Sequence, residues 1–495
     1  MRLSRLSDRL QSMPMLRLLV PFVAGILLAE HFELPLPLLA AAFLVTGCSA
    51  LLLRAQSALV GMLLTTGFAA AQLRTPVCTT PRETATTFTI RIEGIPVDRK
   101  GYRTAEAIVE SWRDPLDARW HPSGDRIRIF ADSLAPLSAG ERFCCRGRIR
   151  RLRGSAEGYL RQMTRRGVIG TLHVGSGSLL ERLDASGSLH LRAVERLRRL
   201  GTAADADAVV RAMVAGDRSG ITPELRERYA RSGFSHLLAL SGLHTGILFA
   251  LANLLLWWLP LLRRGHLLRS LLCTAAVWLF VAAAGFPPSA VRAAVMCTLL
   301  QGALAAGSEY VALNALAAAA FGMLLWRPVW LYDVGFQLSF LSVGAILAWG
   351  VPLCRRIRTG FRPLGRVLEA LAISFTASLV TAPLVARTFG FVPLAGMLLN
   401  PPAILLATVV VLCGTLWLIF APGFLAPLLR WTVTAASDAL DALTRLVAAI
   451  PHDTLEIAPN TATTAAIYLA FLAATLALWA SEPDAGKRRK RPLSL

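Results

Sequence analysis

Gly233-Phe-Ser-His-Leu-Leu-Ala-Leu-Ser-Gly-Leu-His244 opens a long apolar stretch of the chain. Ser235, His236, Ser241 and His244 stand where a membrane span begins. Polar groups at membrane depth cost free energy unless they are paired or line a cavity. Their presence here points to a polar path through a bilayer. On both sides of this stretch, apolar runs of about 20 residues recur, the length that crosses ~30 Å of hydrocarbon as a helix.

Composition agrees with that reading. Of the 495 residues, 55% are hydrophobic and the mean hydropathy is +0.53, against about 45–50% apolar residues in soluble domains. The chain is therefore a polytopic α-helical membrane protein. Its net charge of +21 has two readings. One is positive-inside topology with attraction to anionic lipid heads. The other is a polyanionic substrate such as nucleic acid.

Three hydrophobic segments come first, near 16–31, 34–53 and 57–73, preceded by Arg2, Arg5, Arg9 and Arg17. The start resembles a signal peptide, but two more apolar runs follow at once, so it reads as an uncleaved first span. Positive charge inside puts the N-terminus in the cytoplasm and residue 75 outside. Residues 1–74 form this first region.

Residues 75–200 are a different material. Phe88-Thr-Ile-Arg-Ile-Glu and Asp125-Arg-Ile-Arg-Ile-Phe alternate with period two, and glycines and prolines punctuate them. Short strands with turn signals predict an inserted extracytoplasmic small β-barrel or sandwich. Arg142, Arg146, Arg148, Arg150, Arg151, Arg153, Arg161, Arg165 and Arg166 crowd this region. On the outer side, topology does not account for them. They form either a solvated or lipid-contacting face, or a track for phosphates. Cys78, also in this region, is placed to bridge to Cys144 or Cys145 if the compartment is oxidising; the absence of any Cys-x-x-Cys argues against a structural zinc site.

Leu189, Leu191, Val194, Leu197 and Leu200 make an apolar stripe among arginines, as in a helix lying on a membrane surface. Residues 201–234 continue as an amphipathic helical connector. Residues 235–482 are membrane again, with spans near 235–260, 267–285, 289–307, 310–327, 331–352, 367–387, 394–421 and 462–481. The segment 424–450 carries Arg430, Asp438, Asp441 and Arg445, and either crosses or lies flat. Arginine-rich loops and the basic tail (residues 483–495, with Lys487-Arg-Arg-Lys-Arg491) agree with a cytoplasmic C-terminus if that segment crosses once.

Several polar groups are candidates for chemistry inside the membrane. Ser241 and His244 are three apart, on one face of a helix, and His236 lies eight before His244. They fit helix–helix hydrogen bonding, a pore lining, or a serine nucleophile with a histidine base, although no carboxylate stands nearby to orient the imidazole. Gly285-Phe-Pro-Pro-Ser-Ala-Val-Arg292 is a loop and helix start that carries Ser289 and brings Arg292 into an apolar helix. Arg292 either snorkels or points inward at an anion. Asp333 with Gln337, and Phe336 with Phe340, are pairs four apart, and Asp333 is a candidate partner of Arg292 or Arg387. Asn400-Pro401-Pro402 interrupts a late apolar run. No Gly-x-x-x-x-Gly-Lys-[Ser/Thr] is present, so there is no P-loop for ATP. No His-x-His-x-Asp-His cluster is present either.

Taken together, Gly216-Asp-Arg-Ser-Gly220, Gly233 to His244, Gly285 to Ala293, Asp333 to Phe340 and Pro383 to Asn400 resemble, in order and spacing, the competence domain of the ComEC family over about residues 205–480. Glu157-Gly-Tyr-Leu-Arg161 followed by Gly167-Val-Ile is similar to the close of that family's N-terminal domain. The resemblance implies an OB-like extracytoplasmic domain and an inner-membrane channel of a bacterial cell that passes single-stranded transforming DNA during natural competence. It also implies no catalysis by this chain and no cofactor or metal. The expected partners are single-stranded DNA, membrane lipids, and a separate receptor, nuclease and cytoplasmic motor; oligomeric state is left open. Longer members carry a C-terminal metallo-β-lactamase-like domain that is absent from this sequence, which therefore reads as a short form. On this reading the nine arginines collect the strand, and His236, Ser241, His244, Ser289, Arg292, Asp333, Gln337 and Asn400 line the path. Two other functions use the same residues: a transporter of small anionic or lipid-linked substrates, and an intramembrane hydrolase built on Ser241 and His244.

Overall fold

The structure, a computed structural model, describes residues 11, 13–53, 56–73, 79–99, 102–113, 119–132, 140–152, 160, 163–164, 167–175, 177–185, 189–238, 242–261, 265–305, 311–357, 359–420, 423–450 and 454–481. In chain order, helices α1 (Pro14–Leu28), α2 (Leu36–Leu53) and α3 (Gln56–Leu73) come first. Strands β1 (Ala85–Arg99), β2 (Tyr102–Arg113), β3 (Trp120–Pro122), β4 (Arg126–Asp132), β5 (Glu141–Arg148), β6 (Val168–Val174) and β7 (Leu179–Ala185) follow. Then come α4 (Leu189–Arg198), α5 (Ala204–Ala215), α6 (Pro223–Arg231), α7 (Gly242–Leu255), α8 (Gly265–Ala283), α9 (Pro288–Ala305) and α10 (Ala312–Trp326). The chain continues through α11 (Val334–Cys354), α12 (Arg362–Phe389), β8 (Phe391–Pro393), α13 (Ala395–Phe420), α14 (Ala426–Ala448), β9 (Thr454–Glu456) and α15 (Thr461–Ser481).

Among the described residues, five helices are long and apolar enough to cross a membrane: α8, α11, α12, α13 and α15. The protein is a multi-pass helical membrane protein. Its elements fall into two compact units, one made of residues 1–70, 299–401 and 452–495, the other of 71–298 and 402–451.

In the first unit, α1 and α3 approach through reciprocal glycines. A Cβ on Gly25 would overlap the Leu64 carbonyl, and one on Gly67 the Phe22 carbonyl. Small residues are what let helix backbones meet in lipid, where no hydrophobic effect drives association. Phe22 then packs on Phe321 of α10, ring centroids 4.7 Å apart. Further along, Tyr468 of α15 donates its hydroxyl to the Val380 carbonyl of α12 at 3.2 Å, and Trp349 Nε1 donates to Thr475 Oγ1 at 3.0 Å. Threonine hydroxyls along these helices donate to carbonyls a turn earlier, as Thr376 does to Ala372 at 2.6 Å, so the polar atoms are satisfied locally. The short strands β8 and β9 pair antiparallel, Val392 opposite Leu455.

The second unit carries the β domain. Period-two alternation sends Phe88, Ile90 and Ile92 of β1, Ile127 and Ile129 of β4, and Phe143 and Cys145 of β5 into one core. Each such fully buried aromatic or branched side chain contributes about 1.5–3 kcal/mol. Strand order is β6-β4-β2-β1-β5-β7, with β3 on β2. All neighbours are antiparallel except β4 and β6, which run parallel. The expected barrel is not closed along a strand pair. Among the described residues, β6 at one end of the path touches the chain just past β5, the next-to-last strand, at one isolated antiparallel bridge, where Arg150 and Thr171 exchange both backbone hydrogen bonds at 2.8 Å. The chain enters the domain through a clasp: Asp125, itself buried, accepts from the amides of Thr79 (2.9 Å) and Thr80 (2.7 Å).

Two expectations change here. Most of the apolar stripe of α4 packs inside the protein and not on a lipid surface: Val194, Leu197 and Leu200 are buried, Leu191 is half-buried and Leu189 alone of the five is exposed, and Trp417 Nε1 of α13 donates to the Arg196 carbonyl at 2.9 Å. The expected span from residue 235 begins instead at Gly242; residues 235–238 form turns, so His236 does not share a helix face with His244. A stripe along α14 (Leu429, Val433, Leu440, Val447) is buried as well.

Candidate functional site

The five short segments that stood out in the sequence fall in two groups. Three of them meet in the second unit. Gly216 ends α5 with φ +71, a left-handed cap that glycine adopts without strain. Its Cβ, if it had one, would lie 2.9 Å from the Ala284 carbonyl at the end of α8. Directly after it, Asp217 turns back onto Arg211 of α5. Arg211 Nε donates to Asp207 at 2.8 Å, its Nη1 is paired with Asp217, and the Ser219 amide donates to Asp217 Oδ1 at 2.9 Å. The side chain of Asp217 is 1% exposed and that of Arg211 8%. An ion pair so deep stands because each charge has its counter-charge and hydrogen bonds.

The same turn reaches the second segment. Arg218 Nε donates to the Leu238 carbonyl at 3.2 Å, three residues ahead of Ser241. The second segment in turn reaches the third: Gly242 opens α7 against Arg292, and a Cβ on Gly242 would overlap the Arg292 guanidinium. Arg292 is 5% exposed and His244 1%. Ser289 lies half-buried in the first turn of α9, and His190 Nδ1–H donates to the Ala283 carbonyl at 2.9 Å. The result is a knot in which Gly216–Gly220, the start of α7 and the start of α9 hold one another. His236 sits at its rim, its Nδ1–H donating to the Gly233 carbonyl at 3.1 Å. Ser241 lies outside the described residues.

The remaining path candidates belong to the first unit, each with a local partner. Asp333 caps α11, its Oδ1 accepting from the Phe336 amide at 2.9 Å, in place of the ion pair with Arg387 of the same unit that the sequence suggested. Gln337 Nε2 donates to the Leu331 carbonyl at 2.8 Å. Phe336 and Phe340 do pair, centroids 4.4 Å apart. Asn400 Nδ2 donates to Ser374 Oγ at 3.2 Å, and Ser374 donates to the Met397 carbonyl at 2.9 Å; the break expected at Asn400-Pro401-Pro402 does not occur, since α13 runs unbroken from Ala395 to Phe420.

The arginines of the β domain separate by their partners. Along β5, Phe143 and Cys145 face the core and Arg142, Cys144, Arg146 and Arg148 face outward. Arg142 is held by Glu110 at 2.7 Å, which also takes Arg91 at 3.0 Å, so one carboxylate offsets part of the charge of two arginines. Arg146, Arg148 and Arg150 are exposed, and among the described residues no carboxylate pairs with them. Arg151 is also exposed, its amide donating to Glu83 at 3.1 Å. Arg153, Arg161, Arg165 and Arg166 lie outside the described residues, as does Cys78. Cys144 and Cys145 are free thiols. Burial, reinforced by Glu181, raises the Cys144 thiol above its ordinary range against an opposing Arg113.

The sequence did not single out the ring row on the same outer face. Phe130 of β4 stacks on His173 of β6 (centroids 5.2 Å, planes 16° apart) and meets Tyr102 of β2 at 5.8 Å. Arg128 lies over the Phe130 ring at 5.7 Å. The signal was present in Arg126-Ile-Arg-Ile-Phe130: with both isoleucines inside, the phenylalanine has to face out. Among the described residues no three His, Cys, Asp or Glu side chains group as metal ligands.

Comparison with known proteins gives two matches. A family model described as "Competence protein" matches residues 213–482. ComE operon protein 3 of Bacillus subtilis (strain 168) is 31% identical over 189 residues, covering 37% of this chain and 23% of that protein. The match thus spans about a quarter of that relative's length. No solved structure matches.

Proposed function

The chain belongs to the Competence protein family, and from that premise we propose that it is an inner-membrane channel that passes single-stranded transforming DNA into the cytoplasm. The observation that carries this reading is the knot of three segments, Gly216–Gly220, the start of α7 and the start of α9. All of it lies within the stretch that defines the family. A packed junction holding a buried arginine and a buried histidine in an apolar domain costs free energy, and passage of a phosphate chain is a use that repays the cost.

On this reading the β domain is OB-like. The parallel β4–β6 pair and the Arg150–Thr171 bridge bring β1, β2, β4, β6 and the end of β5 into a near-ring, the arrangement of a partly open five-stranded barrel. Arg146, Arg148 and Arg150, which have no carboxylate partner among the described residues, collect the strand through its phosphates, and Arg142, which shares Glu110 with Arg91, contributes less. His244 and Arg292, with Ser241 and Ser289 beside them in sequence, act on the strand within the helical part of the second unit. Asp333, Gln337 and Asn400 serve mainly to shape the helices of the first. No step requires a bound cofactor. Driving force and receptor come from other proteins.

Deletion of this gene in a naturally transformable host tests the reading. Transformation should fall by orders of magnitude while DNA bound at the cell surface stays at the parental level. Parental transformation in the deletion strain would reject it.

A further inference from the structure

We propose that Tyr102, Phe130 and His173 form a base-stacking platform for single-stranded DNA, continuous with the arginine row and separable from it. The proposal rests on the DNA-uptake reading above and deepens it, because phosphate contacts alone do not distinguish a single strand from a duplex. Bases of a single strand present their π-faces and stack on aromatic side chains whatever the sequence.

Three observations carry it. First, the rings form one outward row across three strands, since Thr104 of β2 is opposite Phe130 and Phe130 is opposite His173, while Ile127, Ile129 and Ala131 face the core. Second, the row is accessible at both ends. Tyr102 is 38% exposed, and His173 is exposed on β6, the last strand of the sheet path. A core would bury such rings, and a lone surface aromatic would not be stacked on a neighbour. Third, the bridge between Arg150 and Thr171 joins this row to the arginines. Cross-strand partners in a hydrogen-bonded antiparallel pair share a face. Arg150 therefore stands on the face of Thr171, which is opposite Arg128, and His173 and Phe130 are the next outward pair along the same two strands. Arginines from β5 (Arg146, Arg148) and beyond it (Arg150) thus lead to Arg128 and then to the rings. A strand whose phosphates follow the arginines has its bases at Tyr102, Phe130 and His173.

Binding of a fluorescent oligothymidylate to the full chain in lipid nanodiscs, compared with an abasic strand of equal length, tests this. The double variant Tyr102→Ala/His173→Ala should weaken the base-bearing strand about ten-fold or more, leave the abasic strand unchanged, and keep the dependence on salt. Quenching of 2-aminopurine placed in the strand should disappear with it. Tyr102→Phe/His173→Phe, which keeps the rings, should retain wild-type affinity and quenching. If the double alanine variant binds the base-bearing strand like wild type, or loses both strands equally, the platform is wrong while the uptake reading stands. If the wild-type chain binds neither strand, both fall.

Discussion

Gly242 lacks a side chain at the point where the guanidinium of Arg292 lies, so the first turn of α7 and the first turn of α9 are matched to each other. The obstacle to a Cβ is the far end of a flexible side chain, not backbone. Gly242→Ala should therefore fold, with expression and melting temperature close to wild type, yet displace Arg292. Transformation should drop at least ten-fold, measured beside membrane levels of the protein. Full transformation in Gly242→Ala would mean that the position of Arg292 is immaterial.

Arg211→Met removes the cation with which Asp217 pairs in its buried turn. An uncompensated buried charge costs about 3–5 kcal/mol, and the loss falls on the turn that reaches Leu238 through Arg218. The variant should show reduced thermal stability in detergent. Arg218→Ala, which loses the part-buried hydrogen bond to the Leu238 carbonyl, should cost less, about 1 kcal/mol. Equal melting temperatures for Arg211→Met and wild type would show that the Asp207–Arg211–Asp217 cluster is not structural.

Burial, and behind it the neighbouring Cys144 thiol, push the Cys145 thiol up to about 12. The thiolate is the reactive form, and a raised value leaves almost none at neutral pH. Cys145 should resist maleimide between pH 7 and pH 8 as long as the β core is folded, and should label when denaturant opens it. This makes it a reporter for that domain. Rapid labelling of Cys145 in the native protein, read by peptide mass spectrometry, would contradict its place beside Phe88 and Phe143.

Pairing of β8 with β9 fixes the two ends of the segment between them on one side of the membrane. Within that segment, α13 is long and apolar enough to cross; if it crosses, the pairing of β8 with β9 requires α14 to return. At ~1.5 Å per residue, the 23 residues of α14 are long enough. Single cysteines at Leu394 and Ile457 should label from the same side and one at Phe424 from the other. All three labelling together would mean that α14 lies flat and α13 does not cross.

Much of this architecture was legible in the sequence, for identifiable reasons. Apolar runs bounded the helices to within a few residues, as with 394–421 against the observed Ala395–Phe420, where Asn400-Pro401-Pro402 leaves the helix unbroken. Strict alternation in Asp125-Arg-Ile-Arg-Ile-Phe placed a strand and its inner face. What failed were inferences needing a partner's position. The α4 stripe looked membrane-bound because sequence does not show α5 and α13 covering it. His236 looked like part of α7 because apolar turn residues continue the helical composition. Asp333 looked like an ion-pair partner because an N-cap carboxylate and a paired one have the same signature before a helix start. Arg142 could not be told from Arg146 until Glu110, more than 30 positions away, was seen to hold it.

Entry of a labelled strand into the cytoplasm is the most direct measurement. Transformable cells with and without this chain receive end-labelled duplex DNA, external DNA is digested, and the protected label is sized as single strand. The account predicts protected single-stranded label only in cells that carry the chain, with equal surface-bound label in both. Protected label accumulating at the same rate without the chain would contradict it.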